Sequence, residues 1–158
     1  MIINTTRFGV IEVDDSALIA MPEGMIGLGE HTSYCLIDHR PESVFKWLQS
    51  THHPDLAFLV IDPSDVIADY EVVLPDWDVE FLQLRDPDEA VVIATVTIDT
   101  EAETVSANLL APVVINARTR LGRQVILDGD RYGVRHEICP LRSTCVAPAI
   151  QQSLNKVA

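Results

Sequence analysis

The chain is poor in cysteine and in cations, and it has no long apolar run. Its three cysteines, Cys35, Cys139 and Cys145, are scattered through 158 residues with no CxxC spacing. An odd set of this kind is neither a disulfide framework nor a zinc knuckle, which points to a reducing compartment. No stretch approaches the roughly 18 apolar residues of a membrane-spanning helix. The segment from Met1 to Arg7 lacks a basic region leading into an apolar one, so no secretion signal is read there. The expectation is a cytoplasmic protein without membrane contact. Only 11 Lys and Arg oppose 24 Asp and Glu, for a formal net charge of -13. Such a surface repels nucleic acid phosphates and favours basic protein partners. Solubility alone is the bland alternative.

Catalytic signatures are equally scarce. The histidines His31, His39, His52, His53 and His136 form no HExxH or HxH pattern, and the spacing suits no metal ligand set. Only His52 and His53 adjoin, in a segment from Thr51 to Asp55 that reads as a solvated turn, with a surface metal as the sharper alternative. Cys35 lies in an expected strand without an activating motif and reads as a small buried hydrophobe. The spaced glycines Gly24, Gly27 and Gly29 have no Walker lysine and no βαβ unit around them, so they mark a loop rather than a phosphate cradle. Asp14, Asp15, Asp62, Asp65 and Asp69 fall at turns, where capping is the usual role of aspartate. No catalytic residue, cofactor or metal is expected.

What the chain does have is a succession of short, β-branched runs separated by Gly, Pro and Asp. They predict strands at Met1–Asn4, Gly9–Val13, Leu18–Ala20, Ser33–Ile37, Phe45–Gln49, Ala57–Ile61, Val72–Leu74, Val91–Ile98, Val105–Asn108, Pro112–Asn116, Arg123–Ile126 and Arg131–Glu137. Glycine turns predict hairpins at Arg7–Gly9 and at Asp128–Asp130. The run from Ala90 to Ile98 begins apolar on both faces, as a covered central strand would. One helix is expected between Pro75 and Leu84, with Asp76 as its cap and Trp77, Phe81 and Leu84 on one face. Many strands with little helix must hide their edges. The fold class is therefore all-β, mainly antiparallel: a small closed or partly open β-barrel-like single domain with one or two short helices, spanning residues 1–140. Residues 141–158 lose the β pattern and read as a tail, flexible or partner-dependent.

Several blocks in sequence order resemble the FliW family of flagellar assembly factors. They are Thr6 to Gly9 with Ile11 to Val13, Met21 to Leu28, and Phe45 to Ser50 leading into Pro54 to Phe58. Further along come Asp62-Pro63, Asp69-Tyr70, Ala107 to Asn116, and Gln124 to Leu127. The combination of Trp47-Leu48-Gln49-Ser50, Pro54-Asp55-Leu56-Ala57-Phe58 and Asn108-Leu109 through Ala111-Pro112 to Asn116 carries the likeness. Leu28 departs from the phenylalanine common after the Gly-x-x-Gly element, and the chain beyond Pro140 matches no family pattern. The resemblance implies a non-enzymatic regulator that binds the translational repressor CsrA and keeps it from flagellin messenger RNA. It also implies binding to flagellin, which couples flagellin synthesis to export.

Loops need few side chains for packing, which makes them the better candidates for partner contact. Asp62, Pro63, Asp65, Asp69, Tyr70 and Glu71 form the first candidate region, and Glu23, Met25 and Ile26 the second. Phe45 and Trp47 share one strand face and are carried as possible anchors, although large aromatics are more often core. Asn108 and Asn116 are expected to satisfy backbone groups. A small β-barrel enzyme, which would gather His and Asp in a pocket, and a purely structural self-associating module are the competing readings.

Overall fold

The computed structural model describes residues 1–140, so the expected tail at 141–158 lies outside the described residues. Strands β1 (Ile2–Thr5) and β2 (Gly9–Glu12) form a separate hairpin. Its turn needs a positive φ, which Gly9 adopts at +70°, a conformation that costs glycine nothing sterically. The main sheet contains β3 (Ile19–Ala20), β4 (Ser33–Asp38), β5 (Phe45–Ser50), β6 (Ala57–Ile61), β7 (Ala90–Asp99), β8 (Thr104–Ala107), β9 (Val113–Asn116), β10 (Gly122–Gln124) and β11 (His136–Pro140). Its order is β10-β9-β7-β6-β5-β4-β3, with β8 on β7 and β11 on β8. Every ladder between these strands is antiparallel.

The sheet curls until its two ends meet. The Ala20 amide donates to the Arg120 carbonyl at 2.9 Å, and Ala20 bridges Leu121 in parallel fashion. The Arg120 guanidinium extends the seam by donating to the carbonyls of Ala17 at 3.0 Å and Leu18 at 3.4 Å. Closure of this kind joins the ends at β3 and β10, which a flat sheet would leave exposed.

Strand alternation sorts the apolar residues to two sides of the curled sheet. Ile19, Tyr34, Leu48, Val60, Ile93, Val113 and Ile115 fill the interior, with Met21 and Met25 joining them from the loop after β3. On one outer face, Phe45, Trp47, Leu59, Ile61, Ala94, Val105, Ala107 and Leu109 pack together, with Phe8 of the hairpin against them. On another, Val114, Val125 and Leu127 meet Leu82, which follows helix α1 (Asp76–Phe81). Burial on both faces explains the near-continuous apolar runs.

Several expectations are corrected. Pro75, not Asp76, is the helix cap and makes no side-chain capping bond, while Asp76 is the first helical residue. Trp77 is 68% exposed; the buried positions here are Asp78 and Leu82, so the apolar face is turned about one residue from the expected one. The run Asp128–Asp130 does turn, with Gly129 at φ +98°, but no hairpin forms. β10 ends at Gln124, and Val125 and Leu127 instead donate to the Pro112 and Leu110 carbonyls. The last strand begins at His136 rather than Arg131 and pairs with β8. Val91 is exposed, so the first half of β7 is not covered on both faces. Val72–Leu74 belongs to no strand. β3 is shorter than expected, starting at Ile19.

Asn116 plays the part expected of it. Fully buried, its amide donates to the carbonyls of Leu82 at 2.8 Å and Gln83 at 3.2 Å, and its oxygen accepts from the Arg118 and Thr119 amides. Gln83 is itself held at φ +56°. Asn108 similarly accepts from the Ala111 amide at 3.0 Å. Replacing Asn116 by leucine strands several polar groups at once and is expected to cost about 2–4 kcal/mol, against about 1 kcal/mol for Asn108→Ala. Urea unfolding monitored by tryptophan fluorescence measures both, and equal costs would contradict this account.

Candidate functional site

The acidic segment after β6 is built in two parts. In the first, Asp62 caps a single 3-10 turn, accepting from the Ser64 amide at 2.9 Å and the Ser64 hydroxyl at 2.7 Å. Pro63 is buried in that turn, and Asp65 is exposed. Asp62 and Asp65 stand at the edge of a 360 Å³ cavity whose walls include Val44, Lys46, Val60 and Val91. Lys46 is engaged there by Asp38.

In the second part, Asp69, Tyr70 and Glu71 are latched to residues 131 and 132. Arg131 reaches Asp69 at 3.1 Å and Glu71 at 3.6 Å. The Tyr132 hydroxyl accepts from the Glu71 amide at 3.0 Å, and its ring lies 4.6 Å from that of Tyr70. Tyr70 turns its hydroxyl inward, donating to the Leu109 carbonyl at 2.6 Å. It is a structural tyrosine whose ring braces the loop, leaving the neighbouring carboxylates outward.

The second candidate region is also split. Met25 is buried and closes the interior, whereas Ile26 is 58% exposed. Gly24 must be glycine, since it sits at φ +64° and a Cβ there would lie 2.4 Å from the Leu28 carbonyl oxygen. The Ile26 amide donates to the Gln124 side chain at 2.9 Å. Glu23 meets Arg123 at 3.0 Å, and Arg123 in turn pairs with Asp78 at 3.1 Å while stacking over the Phe81 ring at 4.4 Å. One arginine thus ties the Glu23 loop, α1 and β10 together.

Phe45 and Trp47, at 1% and 4% exposure, are core residues rather than surface anchors. Trp47 donates its indole N–H to His39 Nδ1 at 3.3 Å, and the Arg7 guanidinium covers its ring at 4.5 Å. Of the remaining histidines, His31 and His53 meet edge to face at 5.0 Å, and His52 Nδ1 lies 3.1 Å from the Thr51 hydroxyl. Among the described residues no group of three or more His, Cys, Asp or Glu is placed to hold a metal. Cys35 is buried, and burial raises its thiol pKa.

One feature that sequence reasoning missed is an apolar cleft of 390 Å³. Its walls are Val72 and Leu74 on one side, Val79, Leu84 and Pro87 on another, with Ala90, Val92 and Val114 as its floor. Arg123, Arg131 and Tyr132 were also missed. They stood within expected strands, and nothing local marks which carboxylate an arginine will reach.

These features define a class: a curled, mainly antiparallel β-protein that presents carboxylates and an apolar cleft, with no histidine lining the two cavities described. The FliW protein family model matches residues 2–138. A flagellar assembly factor FliW from Geobacter sulfurreducens is 34% identical over 157 residues, covering 99% of this chain and 98% of that protein. One from Ruminiclostridium cellulolyticum is 40% identical over 139 residues, covering 87% and 94%. The crystal structure of a flagellar assembly factor FliW superposes with a TM-score of 0.81 at 31% identity, covering 90% of this chain and all of that one. The chain belongs to the FliW family. Among the described residues, no helix is long and apolar enough to cross a membrane.

Burial, reinforced by the neighbouring Tyr132, pushes the Tyr70 phenol from 10.0 up to about 12. The folded chain therefore holds this proton more tightly than the unfolded chain, whose phenol titrates near 10. The stabilisation is complete below pH 10 and is lost as pH rises through about 12. Unfolding measured across that window should show the decline, and Tyr70→Phe should flatten it; an unchanged slope in the variant would contradict the assignment.

Proposed function

We propose that this protein is a cytoplasmic, non-enzymatic regulator of flagellin production. It binds CsrA and keeps it from flagellin messenger RNA, and it binds flagellin, which ties translation to export and gives it a chaperone-like role. The observation that carries this reading is the outward acidic segment from Asp62 to Glu71, held in place by the Arg131 and Tyr132 latch on a chain of net charge -13. A fixed negative surface suits a basic RNA-binding partner and repels RNA itself.

The reading is tested by mixing the purified protein with CsrA from the same organism and following both complex formation and release of labelled flagellin leader RNA. A complex that frees the RNA is expected; no complex at micromolar concentration would sink the proposal.

Within the acidic segment, Asp62 caps a turn and Asp69 is paired, so Asp65 is the cleanest position for a charge test. Asp65→Lys is expected to slow association with CsrA several-fold at low salt while changing dissociation little, and the difference should shrink as salt is added. Stopped-flow kinetics at two ionic strengths would show it, and equal association rates at low salt would count against steering by this segment.

A further inference from the structure

The segment Val72–Leu74 has a strand's sequence and a strand's side-chain alternation but no ladder. Val72 and Leu74 pack toward Leu82, Val114, Val125 and Leu127, while Val73 between them is 75% exposed. Glu71 before them is held by the Tyr132 hydroxyl, and Pro75 after them accepts from the Asp78 and Val79 amides. Both ends are thus fixed. Among the described residues, the backbone N–H and C=O groups of Val72, Val73 and Leu74 take part in no hydrogen bond. An anchored, extended backbone with open hydrogen-bonding groups is a template for another strand.

The same segment forms one wall of the 390 Å³ cleft. A cleft of that size, floored by Ala90, Val92 and Val114, takes a leucine- or phenylalanine-sized side chain. Arg85 and Asp86 line the cleft, and the charge around it is mainly negative. From Asp69 to Glu89 the chain carries Asp69, Glu71, Asp76, Asp78, Glu80, Asp86, Asp88 and Glu89 against Arg85 alone. From outside the segment Arg118 reaches Glu89 and the Gln83 carbonyl, Arg123 reaches Asp78 and the Phe81 ring, and Arg131 reaches Asp69 and Glu71, so eight carboxylates face four arginines.

We propose that Val72–Leu74 is a docking edge, to which an extended segment of a protein partner adds as a strand, places an apolar side chain in the adjoining cleft and sets lysines or arginines against the acidic rim. The proposal rests on the binding-protein reading above and gives that reading a definite surface. Main-chain bonds supply affinity in such strand addition, and the alternate side chains supply selectivity. Acidic surroundings select a basic segment over an acidic one of equal apolarity.

The test uses the full chain, isotopically labelled, titrated with a blocked seven-residue peptide of alternating leucine and lysine. Amide exchange at Val72–Leu74 is expected to slow by about tenfold or more on binding. Ala90→Phe, which fills the cleft, should weaken binding by a similar factor. Should that variant fail to fold, a peptide N-methylated along its pairing edge keeps every side chain and should lose binding to the native protein. Shifts confined to other residues, or equal binding of a peptide with glutamate in place of lysine, would overturn the proposal. Protection of these amides in the free protein also overturns it: if it persists on dilution, the edge is covered within the chain, and if it disappears, by a second copy. CsrA binding measured on the same sample separates the two levels. A chain that binds CsrA without peptide contact at Val72–Leu74 defeats this inference alone, and one that takes the peptide but neither CsrA nor flagellin defeats only the regulatory reading.

Discussion

The fold depends on one seam, where β3 meets the turn into β10. A seven-strand path with open ends would leave Ile19 and Met21 at a margin; the bond from the Ala20 amide to the Arg120 carbonyl makes them interior instead. Arg120 accepts a left-handed backbone, φ +63°, to present that carbonyl, and its guanidinium then binds the Ala17 and Leu18 carbonyls on the far side of the gap. Strain at a non-glycine residue persists only where the surroundings over-determine it, and here three hydrogen bonds across the seam do so. Gly122 completes the approach: a Cβ there would lie 3.2 Å from both the Ile19 and Met21 side chains.

Closing the sheet creates a second problem, which the rest of the chain solves. The outer face of a barrel made from doubly apolar strands must itself be covered. The β1–β2 hairpin, with Phe8 set edge-on to Trp47, and the β8–β11 arm cover one side. Helix α1 and the segment from Tyr70 to Leu74 cover another. This second cover is thin. It lies over Val114 and Val125 but leaves the cleft beside Ala90 and Val92 and, among the described residues, a backbone without hydrogen-bond partners at Val72–Leu74, so the least finished part of the packing is also the part with the densest negative charge.

How much of this was legible in the sequence depends on whether the deciding contact was local. The strands from β4 to β9 were readable because β-branched runs and their turns fix them within a few residues, as with Ala57–Ile61, found at the expected bounds. The Arg7–Gly9 hairpin was readable for the same reason. The Asp128–Asp130 hairpin was not, because its turn residues are correct for a reversal but its flanks find better partners, Leu110 and Pro112, far from the turn. The helix face was misassigned because Trp77 outweighs Asp78 in any apolar pattern, yet Asp78 has Arg123 to pair with, and a paired carboxylate can be buried where an unpaired one cannot. The candidate site divided similarly. Asp62 as a cap followed from its place in a turn, whereas the Tyr70 and Tyr132 pairing joins residues too distant for any spacing rule.

The distribution of cations explains why the surface stays so negative. Arg7 lies over Trp47, Lys46 against Asp38, Arg118 against Glu89, Arg123 between Glu23 and Asp78, and Arg131 between Asp69 and Glu71, while Arg120 is spent on backbone carbonyls. Each of these cations joins elements separated in sequence or stacks on an aromatic ring, so each is a structural part before it is a surface charge. With six of the eleven Lys and Arg residues engaged in this way and 24 Asp and Glu in the chain, the carboxylates outnumber the cations that could answer them. At physiological ionic strength the field of a single exposed carboxylate decays over roughly 8 Å, so what a partner senses at a distance is the local density rather than the total. That density is highest from Asp62 to Glu89, the stretch that also frames the open cleft. Negative charge and an open apolar cleft therefore share one surface, a combination that would speed the encounter of a basic partner and reward one whose shape fits.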